Sequence, residues 1–97
     1  MRNINEHPTL IEKEKIGYLS FPDSDVLVGD KAKINRLADL RRANELGDVA
    51  QYKVIIYFED SLGVKRVETT VWKVKQESIL LKYGIELPIH RILKLVF

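Results

Sequence analysis

The chain has 97 residues, of which 45% are hydrophobic and 31% are charged, and its formal net charge is +2. This length supports one hydrophobic core rather than two, and the composition is that of a globular protein, which excludes a disordered or fibrous chain. Cysteine is absent, which excludes disulfides and thiolate chemistry, and neither a membrane-spanning run nor a signal peptide is recognisable, so we expect a cytoplasmic protein without membrane contact.

The N-terminal part of the chain predicts a flexible tail over residues 1–15, followed by a single globular domain over residues 16–97. The first ten residues show no hydrophobic period and include Pro8. Residues 16–21 predict a short strand that ends at the turn-forming residues 22–25. Residues 1–30 carry a net charge of −3 whereas the rest of the chain is positive, so an acidic arm precedes a basic body.

A single amphipathic helix is predicted over residues 31–46. Asp30 is a suitable N-cap because its carboxylate accepts amide hydrogens of the first turn, and Gly47 suits a left-handed C-cap. At helical spacing one apolar sector is expected to pack on the rest of the protein, with Arg36 on the opposite side. The members of this sector are Ile34, Leu37, Ala38 and Leu40.

The period changes from helical to alternating after Gly47, which predicts consecutive β-strands. Residues 59–63 form the turn of a first hairpin, and the β-branched residues of the second strand fall on both faces, which is typical of a strand that bends between layers. We therefore predict an α+β fold, mainly β, in which one N-terminal helix precedes a strongly bent four- or five-stranded antiparallel sheet or a small barrel. The strands are expected at residues 52–58, 64–75, 78–82, 85–89 and 91–97.

The order of these segments resembles a known small-barrel family. The predicted helix leads into Tyr-Lys-Val-Ile-Ile-Tyr-Phe at 52–58, a turn at Gly63, a bent strand, Ser-Ile-Leu-Leu-Lys at 78–82 and Leu-Pro-Ile-His-Arg-Ile at 87–92. This pattern over residues 31–97 is similar to the Sm-like barrels of the bacterial Hfq type, and more loosely to other SH3-like barrels. Its closing segment resembles the family's Tyr-Lys-His-Ala-Ile signature at His90 and Ile92, although Ile89 stands where the family has lysine. The resemblance implies a barrel that binds RNA.

Two groups of basic residues are candidates for contact with nucleic acid. His90 and Arg91 lie together at a predicted strand corner, where imidazole and guanidinium suit a phosphate or a base edge. The commoner alternative is a hydrogen-bonded pair that orders the turn. Arg41, Arg42 and Lys75 are the predicted phosphate contacts, for which the commoner alternative is a solvated helix face.

The aromatic residues of the strands offer a second route to nucleic acid. Tyr52, Tyr57, Trp72 and Tyr83 can stack on bases if they lie on a sheet surface, but aromatic residues in the strands of a small domain are more often part of the core. The leading hypothesis is a cytoplasmic binding module with an Sm-like or SH3-like barrel that is not an enzyme and that acts through surface contacts with nucleic acid, RNA in particular, or with itself.

The C-terminal strand supports a competing hypothesis. An apolar strand cannot remain an open edge without inviting association, so we expect it to be covered or to pair with another copy in a homo-oligomer. The oligomer edge would be formed by Leu93, Leu95 and Phe97. In this alternative the protein is a protein-interaction or structural adaptor that self-associates.

Catalytic, metal and cofactor sites are not predicted. His7 and His90 are far apart in sequence, and the carboxylates are scattered rather than spaced as metal ligands. The run Glu59, Asp60, Ser61 is interpreted as a hairpin tip, since general acid and base catalysis requires opposed groups in a cleft.

Overall fold

A computed structural model describes residues 8–97, in which one α-helix and seven strands follow one another along the chain. The elements are β1 (Thr9–Leu10), a 3-10 helix (Lys13–Tyr18), α1 (Asp30–Ala50), β2 (Val54–Asp60), β3 (Gly63–Thr69), β4 (Val71–Val74), β5 (Ser78–Leu81), β6 (Ile85–Pro88) and β7 (Ile92–Val96). Two further 3-10 turns occupy Lys82–Gly84 and Ile89–Arg91.

The strands form two sheets. The first has the order β1-β3-β2-β7 and the second has the order β4-β5-β6. All pairs are antiparallel except β1 with β3, which is parallel. The predicted α+β fold with one helix and a bent antiparallel sheet is confirmed, and the sheets of the described residues do not close into a barrel. The resemblance to the Sm-like family itself stays a prediction.

The bend between the sheets falls within the predicted second strand, at Thr70. β3 ends at Thr69 in the first sheet and β4 begins at Val71 in the second. Thr70 is buried, its carbonyl accepts a hydrogen bond from the Lys82 amide at 3.1 Å, and its hydroxyl lies 3.3 Å from the Gln51 carbonyl. These contacts pair the carbonyl and the hydroxyl of Thr70 where strand pairing stops, whereas the hydroxyl of neighbouring Thr69 is buried without a hydrogen-bond partner among the described residues.

The helix differs from its prediction at both ends. It runs over Asp30–Ala50, follows Gly29, and ends at Gln51, which adopts the left-handed conformation with φ 51° and donates its amide to the Gly47 carbonyl at 2.9 Å. Asp30 is therefore inside the helix rather than its N-cap. Gly47 is also inside the helix and does not end it. Glycine is required there for packing, because a Cβ at Gly47 would lie 2.5 Å from the Val71 carbonyl oxygen.

The face of α1 that packs on the sheets was predicted correctly at Leu40 and wrongly at Ile34 and Arg36. The buried positions are Arg36, Leu40, Ala43 and Gly47, whereas Ile34 is 66% exposed. The buried positions are four, three and four residues apart, which is the regular spacing along one face of a helix. The predicted helical period is therefore correct, but the buried face is rotated about the helix axis relative to the prediction. The rotation arises because Arg36 is buried as part of an ion pair, which a pattern of apolar residues does not reveal.

The core lies between α1 and the inner faces of both sheets. The alternation predicted for β2 is confirmed: Val54, Ile56 and Phe58 are buried, and Ile55 and Tyr57 are half-buried on the other face. The buried apolar residues of the remaining strands and turns are Ile16, Val67, Val71, Ile79, Leu81, Leu87, Ile92 and Leu95.

The segment before the helix contains no strand at residues 16–21, where one was predicted. The 3-10 helix Lys13–Tyr18 occupies part of it instead and buries Ile16. A single buried apolar residue is enough to hold a short 3-10 helix in place, and this arrangement does not require the alternation of apolar residues that a strand requires. Within residues 8–15 of the predicted tail, Thr9 and Leu10 pair with Lys65 and Arg66 of β3.

We expect Gly47→Ala to destabilise the protein. A Cβ at this position meets the backbone of Val71 at 2.5 Å and the Thr70 methyl carbon at 2.9 Å. Overpacking costs about 1–3 kcal/mol, which exceeds the gain of about 1 kcal/mol in helix propensity. Urea unfolding should show a lower midpoint for this variant. Gly17→Ala is the matched control, because no atom lies within 4 Å of a Cβ there. A Gly47→Ala protein that is at least as stable as the parent would contradict the packing role of Gly47.

Candidate nucleic-acid interface

His90 and Arg91 bind the protein's own backbone. Arg91 is buried, and its guanidinium donates from Nε to the Glu59 carbonyl at 2.9 Å and from Nη1 to the Ser24 carbonyl at 2.7 Å. The Nε2 atom of His90 lies 2.9 Å from the Pro22 carbonyl, so this nitrogen carries a proton and donates it to the carbonyl. The geometry matches the alternative in which the pair orders the chain, since both side chains hold residues 22–24 against the start of β7.

The surroundings of His90 are acidic. A cavity of about 620 Å³ lies beside it and is lined by Asp23, Asp25, Arg36, Gln76, Glu77, Pro88, Ile89 and His90. The one guanidinium in this lining is occupied by an ion pair: Arg36 donates from Nη2 and Nη1 to the two carboxylate oxygens of Asp25 at 2.8 and 2.9 Å. The remaining carboxylates repel a phosphate, so the local charge gives no support to phosphate contact at His90.

The ion pair of Asp25 and Arg36 holds the segment before α1 against the helix. Arg36 also donates to the Ile92 carbonyl at 3.1 Å, and Asp25 accepts the Leu27 amide at 2.8 Å. The hydrogen bonds from Arg36 are the largest cause that lowers the pKa of Asp25 to about 2. Asp25 is therefore ionised throughout the physiological range, and one guanidinium joins the segment, the helix and β7.

The other predicted phosphate contacts lie at two places. Arg42 stacks its guanidinium on the Phe97 ring, 4.3 Å from the centroid. Arg41 and Lys75 share a cleft of about 390 Å³ between α1 and the end of β4. The structure thus brings Arg41 and Lys75 together in a cleft that adjoins the acidic cavity beside His90, since Gln76 lines both.

Two aromatic side chains that were weighed as core residues are exposed instead. Trp72 and Tyr83 are 44% and 67% exposed, and their rings meet edge to face with centroids 6.1 Å apart and planes at 66°. The register of β4 against β5 shifts between Val71 and Lys73, so Trp72 is an extra residue in its strand. Tyr83 lies in the turn after β5 with φ 67°. A bulge and a left-handed turn therefore place the two rings side by side.

Two lysine ammonium groups lie close to Tyr83, one of the two rings. The Nζ atoms of Lys13 and Lys82 lie 5.0 and 5.3 Å from the centroid of Tyr83, within the range of a cation–π interaction. Lys13 is also 3.2 Å from the carboxylate of Glu14. We call the four residues Trp72, Tyr83, Lys13 and Lys82 the aromatic–lysine patch.

The sequence contained part of the signal for this patch. Each ring has a lysine as its chain neighbour, Lys73 after Trp72 and Lys82 before Tyr83, and Gly84 marks the turn. Lys13 joins from the segment predicted to be a tail, more than fifty residues away in sequence, so no local pattern could have placed it there.

The predicted oligomer edge is largely part of the fold. Leu95 is 9% exposed, and Phe97 packs on the core under Arg42. Leu93 is the extra residue of a bulge between Ile92 and Lys94 and lines an apolar cavity of about 190 Å³. β7 lies at the edge of the first sheet, where α1 packs against it. Self-association through this strand stays a prediction.

The remaining expectations concern metals and membranes. Among residues 8–97 no group of three or more His, Cys, Asp or Glu side chains is arranged to hold a metal ion. No helix in that same part of the chain combines the length and the apolarity that crossing a membrane requires. His7 lies outside the described residues.

Comparison with known proteins finds no matching family model, no matching curated protein and no matching solved structure.

We expect Asp25→Asn to lower the free energy of unfolding by about 1–2 kcal/mol at pH 7. The folded pKa of Asp25, about 2, is below its ordinary value of 3.8, so its contribution is complete above about pH 5 and is lost as the pH falls toward 2. Urea unfolding between pH 7 and pH 2 should show the two proteins converging at the acid end. Asp23→Asn, an exposed carboxylate of the same cavity, is the control; a difference that does not change with pH would contradict the assignment.

Proposed function

We propose that the protein binds single-stranded nucleic acid through the aromatic–lysine patch and performs no chemistry on it. The observation that carries the proposal is the pair of exposed rings, Trp72 and Tyr83, with two ammonium groups within 5.3 Å of the Tyr83 centroid. Aromatic faces that stack on bases, next to cations that neutralise phosphates, are the two elements that single-strand binding requires.

Burial of a large aromatic ring is favourable, so leaving Trp72 and Tyr83 in water forgoes stability that the core could have gained. The backbone of Tyr83 adds a second cost. A left-handed φ of 67° is unfavourable for a bulky side chain by about 1–2 kcal/mol, and glycine or asparagine would adopt it more easily. Strain of this kind is typical of positions where the side chain is needed for binding.

In this arrangement, base stacking and phosphate contact are made by different residues. Lys13 and Lys82 both lie near Tyr83, whereas the indole of Trp72 meets that ring at an edge and has no cation of its own among the described contacts. A base can therefore stack on Trp72 while the two ammonium groups hold neighbouring phosphates of the strand. Stacking of one base contributes about 1–3 kcal/mol and does not depend on base identity, so binding should tolerate many sequences.

The proposal is tested by the fluorescence of Trp72, the single tryptophan of the chain. Titration with oligouridylate or oligothymidylate should quench this fluorescence because the base stacks on the indole. Two phosphate contacts to a single strand predict that the logarithm of the binding constant falls with the logarithm of salt with a slope of about −1.4. No change in fluorescence with either strand at low salt would overturn the proposal.

The contribution of the lysines is tested with a matched pair of variants. Lys82→Gln removes an ammonium over Tyr83, and Lys94→Gln removes one that lies 4.7 Å from the ring centroid of Tyr57 in the other sheet. We expect Lys82→Gln to weaken binding and to reduce the salt slope by about 0.7, and Lys94→Gln to do neither. Tyr83→Asn keeps a residue that suits the left-handed backbone but removes the ring, and should also weaken binding. Equal effects of Lys82→Gln and Lys94→Gln on the affinity would show that the nucleic acid does not bind at the aromatic–lysine patch.

A further inference from the structure

The cleft shared by Arg41 and Lys75 lies along the same strand as Trp72. Its lining comes from α1 on one side and from the end of β4 on the other: Leu37, Arg41, Val74, Lys75 and Gln76. Leu37 and Val74 are half-buried, and Arg41 and Lys75 are exposed. The cleft is therefore lined by one guanidinium, one ammonium, one amide and two aliphatic side chains.

The packing of α1 on β4 fixes the position of this cleft relative to the aromatic–lysine patch. Gly47 meets the Val71 carbonyl, and one turn earlier Asn44 donates from Nδ2 to the Trp72 carbonyl at 2.9 Å. One further turn back, Arg41 lines the same cleft as Val74 and Lys75. The helix therefore runs antiparallel to the strand, and the cleft lies two to three residues after Trp72, which is about 7–10 Å at about 3.3 Å per residue.

The cleft has two basic side chains, Arg41 and Lys75, and one of them has an acidic partner. Lys75 donates from Nζ to Glu86 Oε1 at 2.5 Å, and this hydrogen bond is the largest cause that lowers the pKa of Glu86. Both members of the pair are substantially exposed, so the contact is screened by water and Lys75 retains two further N–H donors. The Lys75 amide donates to the Ser78 carbonyl at 2.8 Å, which holds the end of the strand in place. Arg41 has no ion pair with a described residue, so its charge is available to a ligand.

We propose that this cleft is a second phosphate subsite for the strand that stacks on Trp72. The inference rests on the proposed function and adds to it the class of ligand. A stacked strand advances about 3.4 Å per nucleotide, so about 7–10 Å corresponds to about two or three nucleotide steps. The ligand is then a strand of at least about three or four nucleotides that runs along β4 from the lysines near Tyr83 to Arg41. A dinucleotide engages the aromatic–lysine patch alone.

The experiment compares strand lengths with Trp72 fluorescence as the reporter. The dinucleotide UpU and the hexanucleotide U6 are titrated at low salt against the parent protein, Arg41→Gln and Lys31→Gln. Arg41 is exposed, so its substitution leaves the fold intact, and Lys31→Gln removes one exposed charge from the same helix as a control. We expect the parent to bind U6 at least tenfold more tightly than UpU. Arg41→Gln should weaken U6 binding about fivefold to tenfold, change UpU binding less than twofold, and reduce the salt slope for U6 by about 0.7.

Each result decides between the two proposals. Loss of U6 affinity in Arg41→Gln but not in Lys31→Gln supports the second subsite. Quenching by both strands with no effect of Arg41→Gln, an equal effect on UpU and U6, or an equal effect of Lys31→Gln overturns the second subsite and leaves the aromatic–lysine patch standing. Absence of quenching by any strand overturns the proposed function itself.

Discussion

The close approach of α1 to β4 at Gly47 is the constraint on which the rest of the molecule depends. Only a residue without a side chain lets the helix backbone lie against the Val71 carbonyl, directly after the corner at Thr70 where the chain leaves one sheet for the other. This contact sets the register of the helix, so Asn44 reaches the backbone of Trp72 and Arg41 lines the cleft at the end of the strand. The surface that we propose for ligand binding is therefore positioned by a single packing contact in the interior.

Buried arginines hold the irregular N-terminal segment in place. Arg36 and Arg91 are both almost fully buried, and between them they bind the carboxylate of Asp25 and the carbonyls of Ile92, Glu59 and Ser24. A segment without regular strand pairing cannot satisfy its backbone by itself, and a guanidinium with five donors can satisfy several carbonyls at once. The cost of burying these charges is offset because each makes several hydrogen bonds. Cations at these two positions act inside the fold, whereas those on the second sheet remain at the surface.

Sequence patterns predicted the strands well and the helix less well. The alternation of β2 and the two-faced composition of the following strand were sufficient to predict a hairpin and a bend, because inward residues repeat every second position. The helix end was misplaced because a glycine required for close packing looks the same in sequence as a glycine that ends a helix. The packed face was misplaced because the burial of Arg36 depends on Asp25, eleven residues earlier.

The site was only partly predictable for similar reasons. Arg41 and Lys75 were singled out and do lie together, but the exposure of Trp72 depends on a bulge, and that of Tyr83 on a left-handed turn. Neither conformation leaves a clear mark on hydropathy, so the two rings looked like ordinary core residues. Lys13 approaches them through the tertiary fold alone.

The amide of Asn44 has an effect beyond orienting the helix. By donating to the Trp72 carbonyl and lying 3.4 Å from that of Val71, it occupies acceptors on the outer border of β4 that an incoming chain would otherwise pair with. At the opposite border, β6 ends in Pro88, which has no amide hydrogen to offer, and the Lys13–Tyr18 helix packs against that strand. Obstruction of both borders disfavours the addition of a strand from another chain, so the basic aromatic surface is exposed to water without an open sheet edge beside it.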